Sequence, residues 1–104
     1  MPQFGVFRNP GRDIGAIPYV LQIQSNRLEH SAFRVVMALP RRLAPGPPDR
    51  DLHPDLTIQG EAVFANPLNI VTLRRSVLQN VLEILAERDQ DRIIRAVDTL
   101  ISRA

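Results

Sequence analysis

The residues that could do acid–base or phosphate chemistry lie in two loops of this chain. Arg50, Asp51 and His53 lie together in a proline-rich segment, and Arg12 and Asp13 lie in the first loop. An arginine can hold a phosphate group while a histidine or carboxylate moves a proton, so these residues could support a metal-free ribonuclease. Charged residues also occur in loops by default. We therefore keep ribonuclease chemistry as one alternative.

Other common catalytic and binding motifs are missing from the sequence. His30 and His53 have no second histidine or carboxylate at metal-ligand spacing, so the pattern predicts neither a metal nor a cofactor. The 5 glycines form no phosphate-binding motif, and no serine lies in a hydrolase elbow. Glu83 and Glu87, four positions apart, fit a solvated helix face better than an acid–base pair. The sequence thus favours a protein that acts by binding.

The composition is typical of a small globular protein. The chain has 104 residues, of which 44% are apolar and 23% charged, and this length predicts one domain. There is no cysteine, no signal-peptide pattern and no apolar run long enough for a membrane span, so we expect a cytoplasmic protein without a membrane partner.

The charge pattern argues against a nucleic-acid partner. All 13 basic residues are arginine, and 11 acidic residues oppose them, so the net charge is only +2 although the pI is about 10.4. The charge at neutral pH, rather than the pI, attracts or repels partners. Since the arginines are also scattered along the sequence, we expect no direct nucleic-acid binding.

Alternating apolar residues predict a series of strands in the first two thirds of the chain. The predicted strands span residues 3–8, 18–25, 33–39, 56–65 (a hairpin that turns at Gln59-Gly60) and 68–73. The third of these is almost wholly apolar, which predicts a central position in the sheet. Five prolines in residues 40–54 exclude a long helix or a central strand there. Asn66-Pro67 is expected to break the chain between the hairpin and the last strand.

Two later segments have the apolar spacing of helices. Residues 76–87 form the first, with Ser76 and Gln79 spaced as a capping box. Residues 89–104 form the second, with Asp89 placed to cap it and a pattern that continues to the last residue. The apolar stripe of this second helix consists of Ile93, Val97, Leu100 and Ala104, with Ala96 and Ile101 at its margins. Strands followed by helices predict an α+β fold that is mainly β, with an antiparallel sheet of five or more strands and a C-terminal α-helix.

Six short motifs follow one another along the chain. They are Gln3-Phe4-x-Val6-Phe7, Leu21-x-x-Gln24-Ser25-Asn26, Arg34-Val35-Val36-x-x-Leu39, Asp51-Leu52-His53-Pro54, Ile58-x-Gly60-Glu61 and Ile93-x-x-Ala96-Val97-Asp98-x-Leu100. This ordered set resembles the CcdB toxins of bacterial type II toxin–antitoxin systems. The resemblance implies a small antiparallel, SH3-like β barrel with a C-terminal helix. It also implies a homodimer and a CcdA-like antitoxin whose disordered segment folds onto the toxin.

The resemblance further implies a target and its contact residues. CcdB toxins bind the A subunit of DNA gyrase and trap the opened enzyme, which requires no catalytic residue. The implied gyrase contacts are Arg27, Leu28, Asp98, Ile101, Ser102, Arg103 and Ala104, and the implied antitoxin contacts are Arg8, Asn9 and Arg12.

The last three residues depart from the family pattern. CcdB toxins typically end in Trp-Gly-Ile, and the matching positions here are Ser102, Arg103 and Ala104. A buried aromatic anchor often carries much of the binding free energy of an interface. Three alternatives therefore remain: a CcdB-like gyrase inhibitor, a MazF-like endoribonuclease built on the same fold, and a family member that binds only its antitoxin.

Overall fold

The computed structural model describes residues 2–47 and 49–103, and it confirms an α+β fold that is mainly β. The elements in these ranges are β1 (Gly5–Arg8), β2 (Tyr19–Gln22), β3 (Phe33–Leu39), β4 (Asp55–Ile58), β5 (Glu61–Phe64), β6 (Asn66–Arg74), β7 (Glu83–Ile84) and α1 (Glu87–Ile101), with 3-10 turns at Asn26–Leu28 and Arg75–Val77.

The larger sheet has five antiparallel strands in the order β6-β3-β2-β1-β7, and β4 and β5 form a separate hairpin. Val6 of β1 lies opposite Leu21 of β2, which in turn lies opposite Met37 of β3. β3 pairs with a strand on each side, which confirms the central position predicted from its apolar run. At one edge of this sheet β7 pairs with β1. The helix α1 packs against the core through Ile93.

Apolar side chains are buried on both faces of the sheet. Leu21, Met37 and Ile93 belong to the larger cluster, so α1 closes this side of the molecule. Phe7 and Val20 belong to a second, smaller cluster. Because neighbouring side chains of a strand point to opposite faces, the two clusters lie on opposite sides of β1 and β2. The alternation predicted for these two strands is thereby confirmed.

The predicted hairpin turn at Gln59-Gly60 is confirmed. Both residues are left-handed, with φ of 51° at Gln59 and 80° at Gly60. Two consecutive left-handed residues are the pattern of the two-residue turn that matches the twist of antiparallel strands. Ile58 and Glu61 face each other directly across this turn.

The helix predicted at residues 76–87 is wrong. The chain makes only a 3-10 turn there, is extended at Leu78, and then forms the two-residue β7. The backbone N–H of Leu82 donates to the carbonyl of Val6 at 2.8 Å, and that of Leu85 donates to the carbonyl of Phe4 at 3.1 Å. The open edge of β1 thus supplies partners for a strand, and this long-range pairing outweighs the local helical spacing.

The last helix is confirmed, but its predicted ends are wrong. It starts after Ala86, which makes no side-chain cap, and Asp89 instead lies in the first turn. It stops at Ile101, because Ser102 is extended with ψ of 143°. Leu100, predicted on the buried stripe, is 37% exposed. No helix in residues 2–47 and 49–103 has the length and apolar character needed to cross a membrane.

Several strand boundaries also differ from the prediction, including the end of β2, which lies at Gln22 rather than Ser25. β1 starts at Gly5 rather than Gln3, because Phe4 has a φ of 63° and leaves the strand conformation. Asn66 and Pro67 do not break the chain but open β6. Proline is tolerated there because β6 is an edge strand, where a missing backbone N–H costs no ladder hydrogen bond.

Candidate functional site

One exposed stripe of α1 contains two isoleucines and an aspartate. Ile94, Asp98 and Ile101 are separated by four and three positions, which places them on the same side of a helix. Ile94 is 48% exposed and Ile101 71% exposed, whereas the adjacent Ile93 is 1% exposed and fixes the helix to the core. A partner that covered these two side chains would gain free energy from burying their apolar surface.

The 3-10 turn at Asn26–Leu28 lies beside this stripe because Gln3 contacts both. The backbone N–H of Gln3 donates to Oδ1 of Asn26 at 2.8 Å. Gln3 also lines a small hollow of about 150 Å³ together with Ile94 and Asp98. The turn and the helix stripe, which are distant in the sequence, thus both adjoin Gln3.

The predicted contacts on this surface are accessible. Leu28 is 57% exposed, and the turn that presents it is fixed by the Oγ of Ser25, which accepts from the backbone N–H of Arg27 at 3.1 Å. Ser102 and Arg103 are exposed and follow α1 in an extended segment. Ala104 lies outside the described residues. We call the surface formed by Arg27, Leu28, Ile94, Asp98 and Ile101 the target face.

The predicted antitoxin contacts lie at the other end of β1. Arg8 and Arg12 are exposed. The amide of Asn9 is engaged within the first loop, since Nδ2 donates to the carbonyl of Ile17 at 2.7 Å and Oδ1 accepts from the N–H of Gly11 at 2.9 Å. Asn9 therefore shapes this loop, while the two arginines remain accessible to a partner.

A groove of about 580 Å³ lies between α1 and the proline-rich segment. It is lined by Arg50, Asp51, Pro54, Arg92, Arg95 and Thr99, and we call it the arginine groove. The sequence prediction included Arg50 and Asp51 of the loop but missed Arg92 and Arg95 of the helix. Their signal was present, because Arg88, Arg92 and Arg95 recur at the spacing of one helix face.

Asp55 connects the walls of the arginine groove. Its Oδ2 lies 2.8 Å from Nη1 of Arg42 and 3.7 Å from Nη1 of Arg50. Its backbone carbonyl accepts from Nη1 of Arg92 at 2.8 Å, and the same nitrogen lies 3.0 Å from Oδ1 of Asp89. The loop and α1 are thus held to each other through one residue at the start of β4.

Of the predicted ribonuclease residues, only Arg50 and Asp51 are among the described residues that line the arginine groove. His53 does not line the groove. Its ring packs edge-on against Phe64 with 5.8 Å between centroids, and Nδ1 lies 3.0 Å from the carbonyl of Asp49. Arg12 and Asp13 do not line the groove either. Among the described residues, no three histidine or acidic side chains are grouped so as to hold a metal ion.

The family of the chain follows from its match to a family model. The model of the CcdB protein matches residues 3–102. The chain belongs to the CcdB family. Among curated proteins, none matches the chain significantly in sequence.

Two solved structures share the fold of this CcdB family member. One is an endoribonuclease in complex with its cognate antitoxin from a mycobacterial species, with a TM-score of 0.80 and 19% identity, and the match covers 100% of this chain and 97% of that chain. The other is an endoribonuclease from a mycobacterial species, with a TM-score of 0.69 and 18% identity, covering 95% of this chain and 88% of that chain. At these identities the likeness establishes the fold alone.

Proposed function

We propose that this protein is the toxin of a type II toxin–antitoxin pair that acts in the cytoplasm by binding the A subunit of DNA gyrase. The observation that supports this proposal is that Gln3 contacts both Asn26 of the turn and the hollow lined by Ile94 and Asp98 of α1. Membership of the CcdB family supports it further. Binding alone would account for inhibition, so no catalytic group is required.

The residues after α1 lack the aromatic side chain of the family pattern, so the contact with gyrase must depend on other apolar residues. Ser102 and Arg103 provide no aromatic anchor. Ile101 is 71% exposed and Ile94 48% exposed, so these side chains supply the apolar surface that a partner would bury. Burying a side chain of this size contributes about 1.5–3 kcal/mol. We therefore assign the main apolar contact to these two isoleucines.

A gyrase assay with two matched variants tests this proposal. Purified wild type should inhibit supercoiling and should bind the gyrase A subunit. Ile101→Arg should weaken binding at least about tenfold, because it places a charge in an apolar contact. Leu43→Arg is the control, since Leu43 is 72% exposed in a different part of the surface and Ile101 is 71% exposed. The proposal is wrong if wild type at micromolar concentration leaves gyrase supercoiling and cleavage unchanged and fails to bind the A subunit.

The antitoxin is proposed to contact the exposed Arg8 at the end of β1 and the exposed Arg12 in the first loop. A structural neighbour was solved with its cognate antitoxin, which supports a partner of this kind on the same fold. A neighbouring reading frame that encodes a DNA-binding N-terminus and an acidic tail would identify it. Co-expression of that frame should relieve the growth arrest that the toxin causes alone. A chain that binds this partner but never arrests growth would be the non-poisoning family member.

Ribonuclease activity is the second candidate, and the arginine groove is the observation that favours it. Arg50 and Asp51 share the groove with Arg92 and Arg95, so a phosphate could lie beside a carboxylate. The structural neighbours are endoribonucleases, although they establish only the fold. Incubation of defined RNA with wild type, Asp51→Asn and His53→Ala separates the two candidates. Cleavage by wild type that Asp51→Asn abolishes would establish the second candidate, and absence of cleavage by wild type would end it.

We also propose that the protein is a homodimer, as the CcdB resemblance implies. Within the described residues, β6 has β3 on one side and no strand on the other. An open edge strand can pair with the same strand of a second copy. β6 is nine residues long and contains the exposed Leu68 and Val71, so such pairing would also cover apolar surface.

A further inference from the structure

Phe33 is an exposed aromatic side chain at the start of β3. It is 46% exposed, and the guanidinium of Arg74 lies over its ring, with 5.4 Å between Cζ and the ring centroid. The two residues are direct partners in the pairing of β3 with β6, so their side chains share one face of the sheet. Because the ring is nearly half exposed with this cation in place, another flat group can still stack on it.

The charge beside Phe33 comes from arginines that are not neutralised. Arg75 follows Arg74, and its backbone N–H donates to the carbonyl of Ala32 at 2.8 Å, which fixes it at the end of the sheet. Both arginines are exposed, and neither forms an ion pair within residues 2–47 and 49–103. Glu29 is the one acidic residue in the two segments that meet here, residues 26–33 and 74–77. Unpaired guanidinium groups next to an exposed ring favour a partner that carries both phosphates and flat bases.

Buried side chains hold this part of the molecule in one conformation. The carbonyl of Phe33 accepts from Nη1 of Arg34 at 2.8 Å and from Nε2 of Gln24 at 3.1 Å. The guanidinium of Arg34 also donates to the carbonyls of the two residues that flank the exposed His30. His30 therefore adds a second exposed ring on a loop that is fixed to β3. A preformed surface loses less conformational entropy on binding than a mobile one.

We propose that the surface formed by His30, Phe33, Arg74 and Arg75 binds single-stranded nucleic acid. We call it the stacking surface. Bases stack on Phe33, and the two arginines contact phosphates. The stacking surface shares no residue with the target face or the arginine groove, so this goes beyond both the proposed gyrase contact and the ribonuclease alternative. The arginines look scattered in the sequence, and only the pairing of β3 with β6 places two of them beside an exposed ring.

Base stacking selects a single strand over a duplex. In a duplex the bases are stacked on one another, whereas a single strand presents their faces to aromatic side chains. Stacking tolerates any sequence because every base has a flat π face, so we expect little base preference. The homodimer proposed through β6 uses backbone groups at the edge of the sheet, and Phe33 lies on the face of the neighbouring strand. The two proposals are therefore compatible.

Fluorescence anisotropy with the purified full chain at low salt tests the proposal. The probes are a labelled oligo-dT of about 12 nucleotides, an oligo-U and a DNA duplex of equal length, and an abasic strand that keeps the phosphates but lacks the bases. Oligo-dT should bind at least about fivefold more tightly than the abasic strand or the duplex, the factor expected for one stacked base. Added salt should weaken binding, because the phosphate contacts are screened. Whichever of oligo-dT and oligo-U binds more tightly identifies the kind of strand.

Three variants separate base stacking from general charge attraction. Phe33→Leu keeps an apolar side chain but removes the ring, so it should bind oligo-dT no better than the abasic strand. Arg75→Gln should weaken binding of both strands about tenfold, the effect expected for losing one charge-assisted hydrogen bond. Arg88→Gln is the control and should bind like wild type, because Arg88 is an exposed arginine of α1 without an ion pair among the described residues. Far-ultraviolet circular dichroism should be the same for all three variants.

Three results would overturn the proposal. The first is that neither oligo-dT nor oligo-U binds at micromolar concentration. The second is that the abasic strand or the duplex binds as tightly as oligo-dT, which would make this a general polyanion surface. The third is that Phe33→Leu and Arg75→Gln bind oligo-dT as tightly as Arg88→Gln does. Because oligo-dT has no 2′-hydroxyl to be cleaved like RNA and gyrase takes no part, failure here is distinct from failure of either proposed activity.

Discussion

Tyr19 is buried, and its ionisation should report on the packing of the hairpin against the main sheet. Its hydroxyl donates to Oε1 of Glu61 at 3.2 Å, and Glu61 is also paired with Arg41. Burial raises the pKa of Tyr19 above its ordinary value of 10.0, and the hydrogen bond to Glu61 and the charge of Glu61 raise it further. The hydroxyl therefore stays protonated in the folded protein at a pH where an unfolded tyrosine ionises.

The raised pKa of Tyr19 has a defined effect on stability. Its contribution to the free energy of unfolding is complete below pH 10.0 and is lost as the pH rises through the raised value, because the unfolded chain loses the proton first. The chain contains 1 tyrosine and no tryptophan, so phenolate absorbance reports this residue alone. We expect a titration midpoint above 10.0 and an alkaline loss of stability that is smaller in Tyr19→Phe. A midpoint at or below the ordinary value would contradict the burial of this hydroxyl.

Arg34 is a buried cation that organises the loop before β3. It is 1% exposed, and its guanidinium donates to the carbonyls of Glu29, Ser31 and Phe33 at 2.7, 2.7 and 2.8 Å. Arg34→Met keeps the volume but leaves three carbonyls without this donor, so we expect the free energy of unfolding to fall by about 3 kcal/mol. Arg34→Lys should lower the free energy of unfolding by less, because lysine keeps a charged donor. Urea denaturation measures both, and equal stability of Arg34→Met and wild type would show that the loop is held by other contacts.

At the scale of elements, the β4–β5 hairpin can be strengthened through its turn. Gln59 has a φ of 51°, which asparagine adopts more readily than glutamine. Gln59→Asn should therefore raise the free energy of unfolding by about 0.5 kcal/mol.

Gly60→Ala should lower the free energy of unfolding, because Gly60 has a φ of 80°, which alanine adopts at a cost. An added Cβ would meet no atom within 4 Å, so no steric clash contributes. A loss of about 1–2 kcal/mol there would come from backbone conformation alone, and no loss would contradict the assigned turn.

The segment before α1 shows how an element can be decided by its neighbours. Leu78, Leu82 and Leu85 have spacing that is compatible with a helix, yet residues 78–86 contain no helix and form only the two-residue β7. The carbonyls of Phe4 and Val6 at the edge of β1 accept from this segment. Unpaired backbone groups at a sheet edge favour a strand, and a sequence window cannot show that an edge is available.

For the whole molecule, the proposed homodimer gives a further prediction. Light scattering should yield twice the chain mass of 11.7 kDa. Val71→Lys should shift the protein toward monomer, because a lysine on an edge strand opposes edge-to-edge pairing. Val77→Lys is the control, since both valines are 45% exposed and Val77 lies outside β6. A monomeric wild type would contradict the proposed homodimer. Equal dissociation of Val71→Lys and Val77→Lys would show that the copies do not associate through β6.

The sequence by itself determined the fold class, most of the strands and the family. These depend on local signals: alternating side chains in β2 and β3, the Gln59-Gly60 turn, and an ordered set of short motifs. It also predicted partner contacts at Arg27 and Leu28 and at the end of α1, but only through the CcdB resemblance, and these stay predictions. It could not show that Gln3 connects the turn with the rest of the fold, since the hydrogen bond between Gln3 and Asn26 spans 23 positions.

Only the tertiary structure decided which surfaces the charged residues form. Arg42 and Arg50 lie in the proline-rich segment and Arg92 in α1, and in the sequence they look like scattered solvated charges. Asp55 draws them together through its side chain and its carbonyl. Local spacing defines one face of one element, whereas a surface built from two elements depends on how they pack. For that reason Arg50 and Asp51 share the arginine groove with Arg92 and Arg95 of α1, whereas His53 is not part of its lining.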